Sequence, residues 1–343
     1  PAFIALEEID IEGVDTRLLA DLATAGYTYD YAFSHPDVGG HGVAVLWRTD
    51  LVSNVSWSTE YQSCSPYGSE SSIGYDNYCD GLPDQYPTFS RRPVVVTGTL
   101  TLDNGAVEIV VIGNHFKSMI GGEPSALRRL AQGELINQVV SNLIAADSEH
   151  VIVLGDLNDF EDSAPLQAMY ANGVLTNTWY TLPPEMRYSY IYQGVSQILD
   201  HIVVSPAMFE WLAAMGPLHL NADFPFAPYT NDSTVVWRTS DHDPVAATFE
   251  LPELVVDFSS NSPVRAGQQA EFTDLTTGVG PFTYEWDFGD GSPVSNLANP
   301  THVYLAAGTY TVTLTVTNPY QTLQISHEFV VEHPLIFLPG VFK

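Results

Sequence analysis

Short apolar runs alternate with polar punctuation along most of the chain. Residues 3–6, 42–47, 93–102, 107–112, 151–154, 198–204 and 246–251 are apolar and rich in β-branched residues. They are too short for helices, so each predicts a strand, and 151–154 predicts one buried on both faces and ended by Gly155. Helical spacing appears in 14–25, where Leu18, Leu19, Leu22 and Ala23 recur on one face and Gly26 is a stop. It appears at greater length in 125–146, through Leu127, Leu130, Leu135, Ile136, Val139, Val140 and Leu143. Residues 165–170 predict a short helix, Tyr188, Tyr190 and Tyr192 alternate as a strand does, and Asp103-Asn-Gly105 predicts a hairpin turn. Residues 53–88, dense in Ser, Tyr, Gly, Asp and Pro, read as one long loop, and long loops are often functional. Helices alternating with strands describe a layered α/β domain over residues 1–252.

The pattern changes near residue 253. Segments become short and rich in Thr and Val, with turns at 278–280, 289–291 and Gly308. Residues 309–317 alternate strictly, as a strand with one buried face does in an all-β sandwich. This second domain is expected over 253–333. The remaining 334–343 form an apolar, proline-broken tail, either a packing strap or an anchoring signal.

Composition narrows the class. With 45% apolar and 12% aromatic residues the chain has material for sizeable cores, which excludes a disordered protein, and 343 residues accommodate two domains. The 41 acidic and 11 basic residues give a formal charge of −30. Such a surface repels polyanions at range, argues against electrostatic steering to DNA or anionic lipid, and fits a secreted or salt-adapted protein. Arg91, Arg92 and Lys117 lie beside the polar clusters described next, so a phosphate site can be locally positive inside a negative shell. Cys64 and Cys79, in the loop-like stretch, predict one disulfide and an oxidising compartment. No apolar run approaches the roughly 20 residues a membrane helix needs. The chain opens inside a strand, so an upstream segment is expected.

Several predicted strands finish in chemistry-bearing residues. Glu8 follows the first, Asn114-His115 another, then come Gly155-Asp-Leu-Asn-Asp159, Asp200-His201 and Ser240-Asp-His-Asp243. Acceptors at the rim of a sheet can hold a divalent metal or orient a water. Glu8, Asp156, Asp241 and Asn158 with His115 and His242 make an oxygen-rich set, which favours Mg²⁺, Mn²⁺ or Ca²⁺ over Zn²⁺. A hard cation beside histidines and an arginine suits phosphoester hydrolysis.

Leu6-Glu-Glu8, Phe89-Ser-Arg-Arg-Pro93, Asn114-His-Phe-Lys-Ser118, Gly155-Asp-Leu-Asn158, Leu199-Asp-His201 and Ser240-Asp-His-Asp-Pro244 stand in the order used by the endonuclease/exonuclease/phosphatase superfamily. About residues 1–250 resemble it. Residues 188–201, Asn221-Ala-Asp223 and 240–244 are most similar to secreted bacterial nucleases, and the cysteine loop followed by Phe89-Ser-Arg91 resembles pancreatic-type deoxyribonuclease. The resemblance implies a four-layer α/β sandwich of the DNase I-like type. It also implies roles: Glu8 as principal metal ligand helped by Asp241, Asp156 orienting or deprotonating the attacking water, and Asn158 holding the nucleophile or a phosphate oxygen. Asp200 would fix His242, which donates to the phosphate or moves a proton. His115 and Arg91 would contact the scissile phosphate, with Lys117 and Asn114 as further phosphate contacts. Asp10, Asp159 and His201 are expected to be structural.

The implied activity is a secreted endonuclease acting on DNA or RNA with Mg²⁺, or Mn²⁺ or Ca²⁺. A phosphomonoesterase or sphingomyelinase-type enzyme of the same superfamily is the alternative, and a non-catalytic surface or adhesive protein is a third. Two departures from the family pattern stand out. Its first strand carries a metal-proximal asparagine upstream of this chain's start, so 1–252 is expected to be N-terminally truncated, and Glu7 stands where the family often has glutamine.

Trp286-Asp-Phe-Gly-Asp-Gly291, His302-Val-Tyr304 and 308–316 resemble a PKD domain, an immunoglobulin-like β-sandwich of extracellular enzymes and surface proteins. Trp286 and Tyr310 are its expected core aromatics and Asp287 and Asp290 its turn-formers. A spacer role or binding to an extracellular polymer is implied, in an extracellular or cell-surface monomer.

Overall fold

The computed structural model describes residues 1–9, 17–34, 42–66, 79, 85–103, 105–223, 240–319 and 321–334. Asp10, Asn104 of the expected hairpin turn, residues 14–16 of the expected first helix and nearly all of the tail lie outside the described residues. The chain divides into two compact units near Leu251.

In the first unit, β1 (Phe3–Ile9), β2 (Tyr29–Phe33) and β3 (Gly42–Arg48) form an antiparallel sheet with β3 in the middle. Alternation along these strands separates two apolar faces. Ala44 and Leu46 with Ile4 and Leu6 pack against Leu18, Leu19 and Leu22 at α1 (Leu19–Thr24). Val43, Val45 and Ala5 take the opposite face and meet a second sheet so closely that a Cβ on Gly113 would stand 2.6 Å from Val45 Cγ2.

That second sheet draws on β4 (Val52–Ser58), β7 (Val94–Leu102), β8 (Gly105–His115), β9 (Val151–Asp156), β10 (Thr176–Asn177) and β13 (Asp200–Val204). Their order is β10-β13-β9-β8-β7-β4. Two-residue strands β5 (Cys64–Ser65) and β6 (Tyr86–Pro87) pair separately, and Cys64 is disulfide-bonded to Cys79. The outer face of the six-stranded sheet carries Val110, Ile112, Val151, Val153 and Val203 beneath Ile136, Val139 and Val140 of α2 (Glu123–Ala145) and Leu166 and Met169 of α3 (Ala164–Tyr170). Helix, sheet, sheet and helices make the four layers. β8 and β9 run parallel, which requires a crossover, and α2 supplies it. The hairpin of β11 (Tyr190–Tyr192) and β12 (Val195–Gln197), helix α4 (Pro206–Phe209) and the pair β14 (Leu212–Pro217) and β15 (Val245–Phe249) complete the unit. Among the described residues no helix is long and apolar enough to cross a membrane.

Three expectations need correction. The strand at 151–154 is fully buried on one face only, through Val151 and Val153, while Ile152 and Leu154 are half-buried. Gly155 does not end this strand, since β9 continues to Asp156, which pairs with both His115 and Asp200. Part of the expected loop 53–88 is strand β4, at the sheet edge. A register shift between Ser53 and Ser56, with Asn54 at φ 50°, breaks its alternation and hides it from a period-two reading.

The second unit holds β16 (Phe258–Ser260), β17 (Val264–Arg265), β18 (Gln269–Asp274), β19 (Thr283–Asp287), β20 (Thr301–Val303), β21 (Gly308–Thr317) and β22 (Thr322–Glu332). They form sheets ordered β16-β18-β20 and β17-β22-β21-β19. Val312, Leu314 and Val316 of β21 are buried with Phe272, Trp286, Tyr304 and Phe329 between the sheets, as the strict alternation predicted. Tyr304, rather than Tyr310, is the fully buried tyrosine; Tyr310 is half-buried and stacks on it at 4.3 Å. Asp287 accepts from the Gly289 amide and Asp290 from that of Ser292, so both carboxylates shape the turn as expected.

Candidate active site

Strand register gathers the chemistry. β8, β9 and β13 are adjacent, with His115 opposite Asp156 and Asp156 opposite Asp200, so three side chains distant in sequence form one row. Beyond Asp200, the backbone of His242 bridges to Tyr190 of β11. The ligand atoms of Asp156, Asp200 and His242 all lie within 4.8 Å of one another.

Each member is held by a specific set of contacts. Asp156 Oδ1 accepts from the Asn158 amide and Oδ2 from Asn158 Nδ2, both at 2.8 Å. Asn158 stands at φ 49° to fold back in this way. Its Nδ2 also donates to the Phe116 carbonyl at 3.3 Å, so the amide positions the carboxylate. Gly155 allows the strands to close here, since a Cβ would fall 2.0 Å from the Asn114 carbonyl oxygen. His242 Nδ1 meets Asp200 Oδ2 at 2.7 Å, and the same oxygen accepts from Ser189 Oγ at 2.6 Å. Ser189 Oγ is in turn reached by the Leu199 and Asp200 amides.

The segment carrying His242 is anchored by Asp243. Its buried carboxylate accepts from the Leu220, Asn221 and Ala222 amides at 2.7 to 3.0 Å and faces His219 Nδ1 at 2.9 Å. Burial works against this carboxylate's charge, but the His219 and amide contacts outweigh it and hold the group below its ordinary range. Asn221 Nδ2 also donates to the His242 carbonyl at 2.7 Å.

Arg91 approaches His115 Nδ1 at 2.6 Å. A guanidinium offers only donors, so Nδ1 accepts and the proton of the neutral ring sits on Nε2, facing Asp156 Oδ2 at 3.6 Å and Glu8 Oε1 at 3.9 Å. Burial, with Arg91, His242 and Lys117 nearby, pushes His115 down to about 3, so the ring is neutral at working pH.

The carboxylates crowd one another. Burial and the neighbouring Asp200 raise Asp156 to about 7. Burial opposes charge on His242 too, but its hydrogen bond to Asp200 and the charges of Asp200, Asp156 and Asp241 prevail, giving about 9. Glu7, which faces inward like Ala5, is raised well above the ordinary carboxylate range by burial and by repulsion from Asp200 and Asp156. Glu7 Oε1 is buried with no hydrogen-bond partner. A crowded oxygen-rich set with an unsatisfied buried acceptor is the environment a hard divalent cation suits.

Other expected residues take different places. Glu8 is displaced by a β-bulge between Glu7 and Ile9, stands at φ 54° and keeps a side chain 66% exposed at the rim. Asp241 is exposed and outside the close cluster of Asp156, Asp200 and His242. Asn114 is fully buried, one residue out of phase with His115, and donates to the Ile112 carbonyl, while its Oδ1 is buried with no hydrogen-bond partner. Lys117 is half-buried with Nζ on Ser118 Oγ. His201 bonds Asn177 and the Asp159 carbonyl, and Asp159 pairs with buried Arg129 at 2.7 Å, both structural as expected.

Sequence reasoning missed Ser189, Asp243 and the inward turn of Glu7. Ser189 lay inside an alternating tyrosine run whose intervening position could have been read as inward-facing. Asp243 sat within a recognised motif in which only its neighbours drew a role.

A family model for the Endonuclease/Exonuclease/phosphatase family matches residues 1–242, and one for the PKD domain matches 252–332. The chain therefore belongs to the endonuclease/exonuclease/phosphatase family, with a DNase I-like fold, a C-terminal PKD domain and the equipment of a phosphoester hydrolase. The catalytic domain of human nocturnin is similar at 17% identity, with a TM-score of 0.46, over 72% of this chain and 81% of that one. A mannosyl-6-phosphatase of Bacteroides thetaiotaomicron VPI-5482 is similar at 18% identity and a TM-score of 0.45, over 72% of this chain and 85% of that one. A stretch of 77 residues is 36% identical to human polycystin-1, spanning 22% of this chain and 2% of that protein.

Proposed function

We propose that the chain is an extracellular, divalent-metal-dependent phosphodiesterase that hydrolyses DNA or RNA endonucleolytically. The observation that carries this reading is the Asp156, Asp200 and His242 cluster, with neutral His115 held on Arg91 beside it. Glu7, Asp156 and Asp200, with Glu8 and Asp241 at the rim, would hold Mg²⁺, or Mn²⁺ or Ca²⁺. Such a cation, when bound, neutralises charge developing on the phosphate oxygens.

This chain's residues supply the remaining chemistry. Asp156, fixed by Asn158, orients the attacking water and accepts its proton as oxygen bonds to phosphorus. His242, kept protonated by Asp200, gives its proton to the departing ester oxygen as the P–O bond breaks. His115 Nε2–H and Arg91 meet the non-bridging phosphate oxygens. The disulfide and the PKD domain support an extracellular or cell-surface setting, in which the PKD domain (253–333) serves as a spacer or binds an extracellular polymer and the protein acts as a monomer.

The charge of −30 favours a second reading in which the substrate is a small phosphoester rather than a polyanion. The test is turnover of plasmid DNA, RNA, p-nitrophenyl phosphate and sphingomyelin, with and without chelator. Chelator-sensitive cleavage of nucleic acid is expected; turnover of the monoester alone makes the protein a phosphatase.

A further inference from the structure

The tyrosine run beside the site has no part in the chemistry above. Tyr188 stacks on His219 at 4.3 Å and bonds Asp223 through its hydroxyl. Tyr190 lies against His242, ring centres 4.6 Å apart, and its backbone bridges to that residue. Tyr192, two residues further on the same face of β11, is nearly parallel to Tyr190 at 15° and 6.4 Å and is 52% exposed. The strand is returned by Gln193 at φ 51° and Gly194 at φ 81°, a two-residue turn with both angles positive that matches strand twist and fixes the hairpin. Val195, 59% exposed, follows the turn.

Exposed Tyr192 and half-buried Tyr190 behind it make an aromatic surface continuous with the catalytic histidine, a binding feature in search of a ligand. The protein carries only 11 basic residues against 41 acidic ones, so phosphate contacts beyond the scissile position supply little affinity. Stacking is indifferent to charge, and every base has a π-face. We infer that Tyr190 and Tyr192 form a stacking subsite for a nucleobase of the substrate, placed one step from the phosphate that His242 meets. The inference rests on the phosphodiesterase reading and deepens it, because it assigns specificity for base-bearing over sugar-only esters to a hairpin of this chain.

The test uses the full chain and two paired oligonucleotides, one normal and one abasic around the scissile position. Wild type is expected to prefer the base-bearing substrate, and Tyr192→Ala to lower that preference roughly 5- to 150-fold, mainly through KM, with Tyr192→Trp restoring it. A second readout needs no turnover: under chelator, a dinucleotide containing 2-aminopurine is expected to lose fluorescence on wild type and Tyr192→Trp but not on Tyr192→Ala. Equal cleavage of both oligonucleotides by wild type and Tyr192→Ala, or quenching unchanged in Tyr192→Ala, overturns the subsite while leaving the phosphodiesterase intact. Turnover of a sugar phosphate with no diester cleaved and no quenching overturns both, whereas quenching without diester cleavage overturns the enzyme reading alone.

Discussion

Asp200 and His242, 42 residues apart in the chain, are joined by a 2.7 Å contact between Oδ2 and Nδ1. Burial opposes a charged imidazole, but this contact, with the charges of Asp200, Asp156 and Asp241, keeps His242 protonated up to about 9. Replacing Asp200 by Asn removes the charge and keeps the shape. The His242 midpoint is expected to fall, and kcat near neutral pH to drop by roughly 10²–10⁴, the usual contribution of a positioned acid. An NMR titration of the ring and a kcat–pH profile measure both. A midpoint that stays put in Asp200→Asn would show that the charge comes from elsewhere.

Asp156 links protonation to stability in the metal-free protein. Its ordinary value is 3.8 and its folded value about 7, so the folded state holds this proton more tightly than the unfolded chain. That contribution is complete below about 3.8 and is lost as pH rises through about 7. Chelated protein should therefore melt lower at pH 8 than at pH 5. General acidic repulsion acts in the same direction, so the informative comparison is Asp156→Asn, which should flatten the slope. Equal pH slopes in wild type and variant would contradict the crowding.

Asp243 receives three amides and faces His219, and it touches no substrate-facing atom. Removing it as Asp243→Ala leaves several donors without their acceptor, each worth about 1–3 kcal/mol when buried. A loss of roughly 3 kcal/mol or more is expected in urea denaturation, with a smaller loss for Asp243→Asn, which retains one acceptor. A variant as stable as wild type would rule out the anchoring role.

Much of this architecture was legible in the chain itself. Strands such as 42–47 and 109–112 are apolar on both faces because sheet and helix cover them, and an uninterrupted apolar run announces that. The site was legible in part as strand endings: Asp156 ends β9, whereas Asp200 opens β13 rather than closing a strand, and antiparallel pairing is what sets it opposite Asp156. What period-two reading cannot convey is a register break. The bulge at Glu8 and the shift in β4 each reverse which side chains face inward, and only pairing geometry reveals it. Support from distant backbone, as at Asp243, leaves no local pattern, because its partners at Leu220, Asn221 and Ala222 lie some twenty residues away in the chain.

The Cys64–Cys79 disulfide closes a loop of 15 residues in sequence separation. Closing such a loop restricts the unfolded chain by about 3 kcal/mol in the entropic account. The double variant Cys64→Ser/Cys79→Ser should lose stability of that order in chemical denaturation while retaining turnover at 25 °C. Reductant should destabilise wild type by the same amount and leave the double variant unchanged. No effect of reductant on wild type would contradict a structural bond.

Initial rates on a short DNA duplex with stepwise chelation and Mn²⁺ or Mg²⁺ add-back test most directly the proposal that the carboxylate cluster binds a cation and hydrolyses phosphodiesters. Wild type is predicted to lose activity with chelator and regain it with metal, and Asp156→Ala to stay inactive under both conditions. Cleavage that persists in excess chelator, or in Asp156→Ala at the wild-type rate, would contradict it.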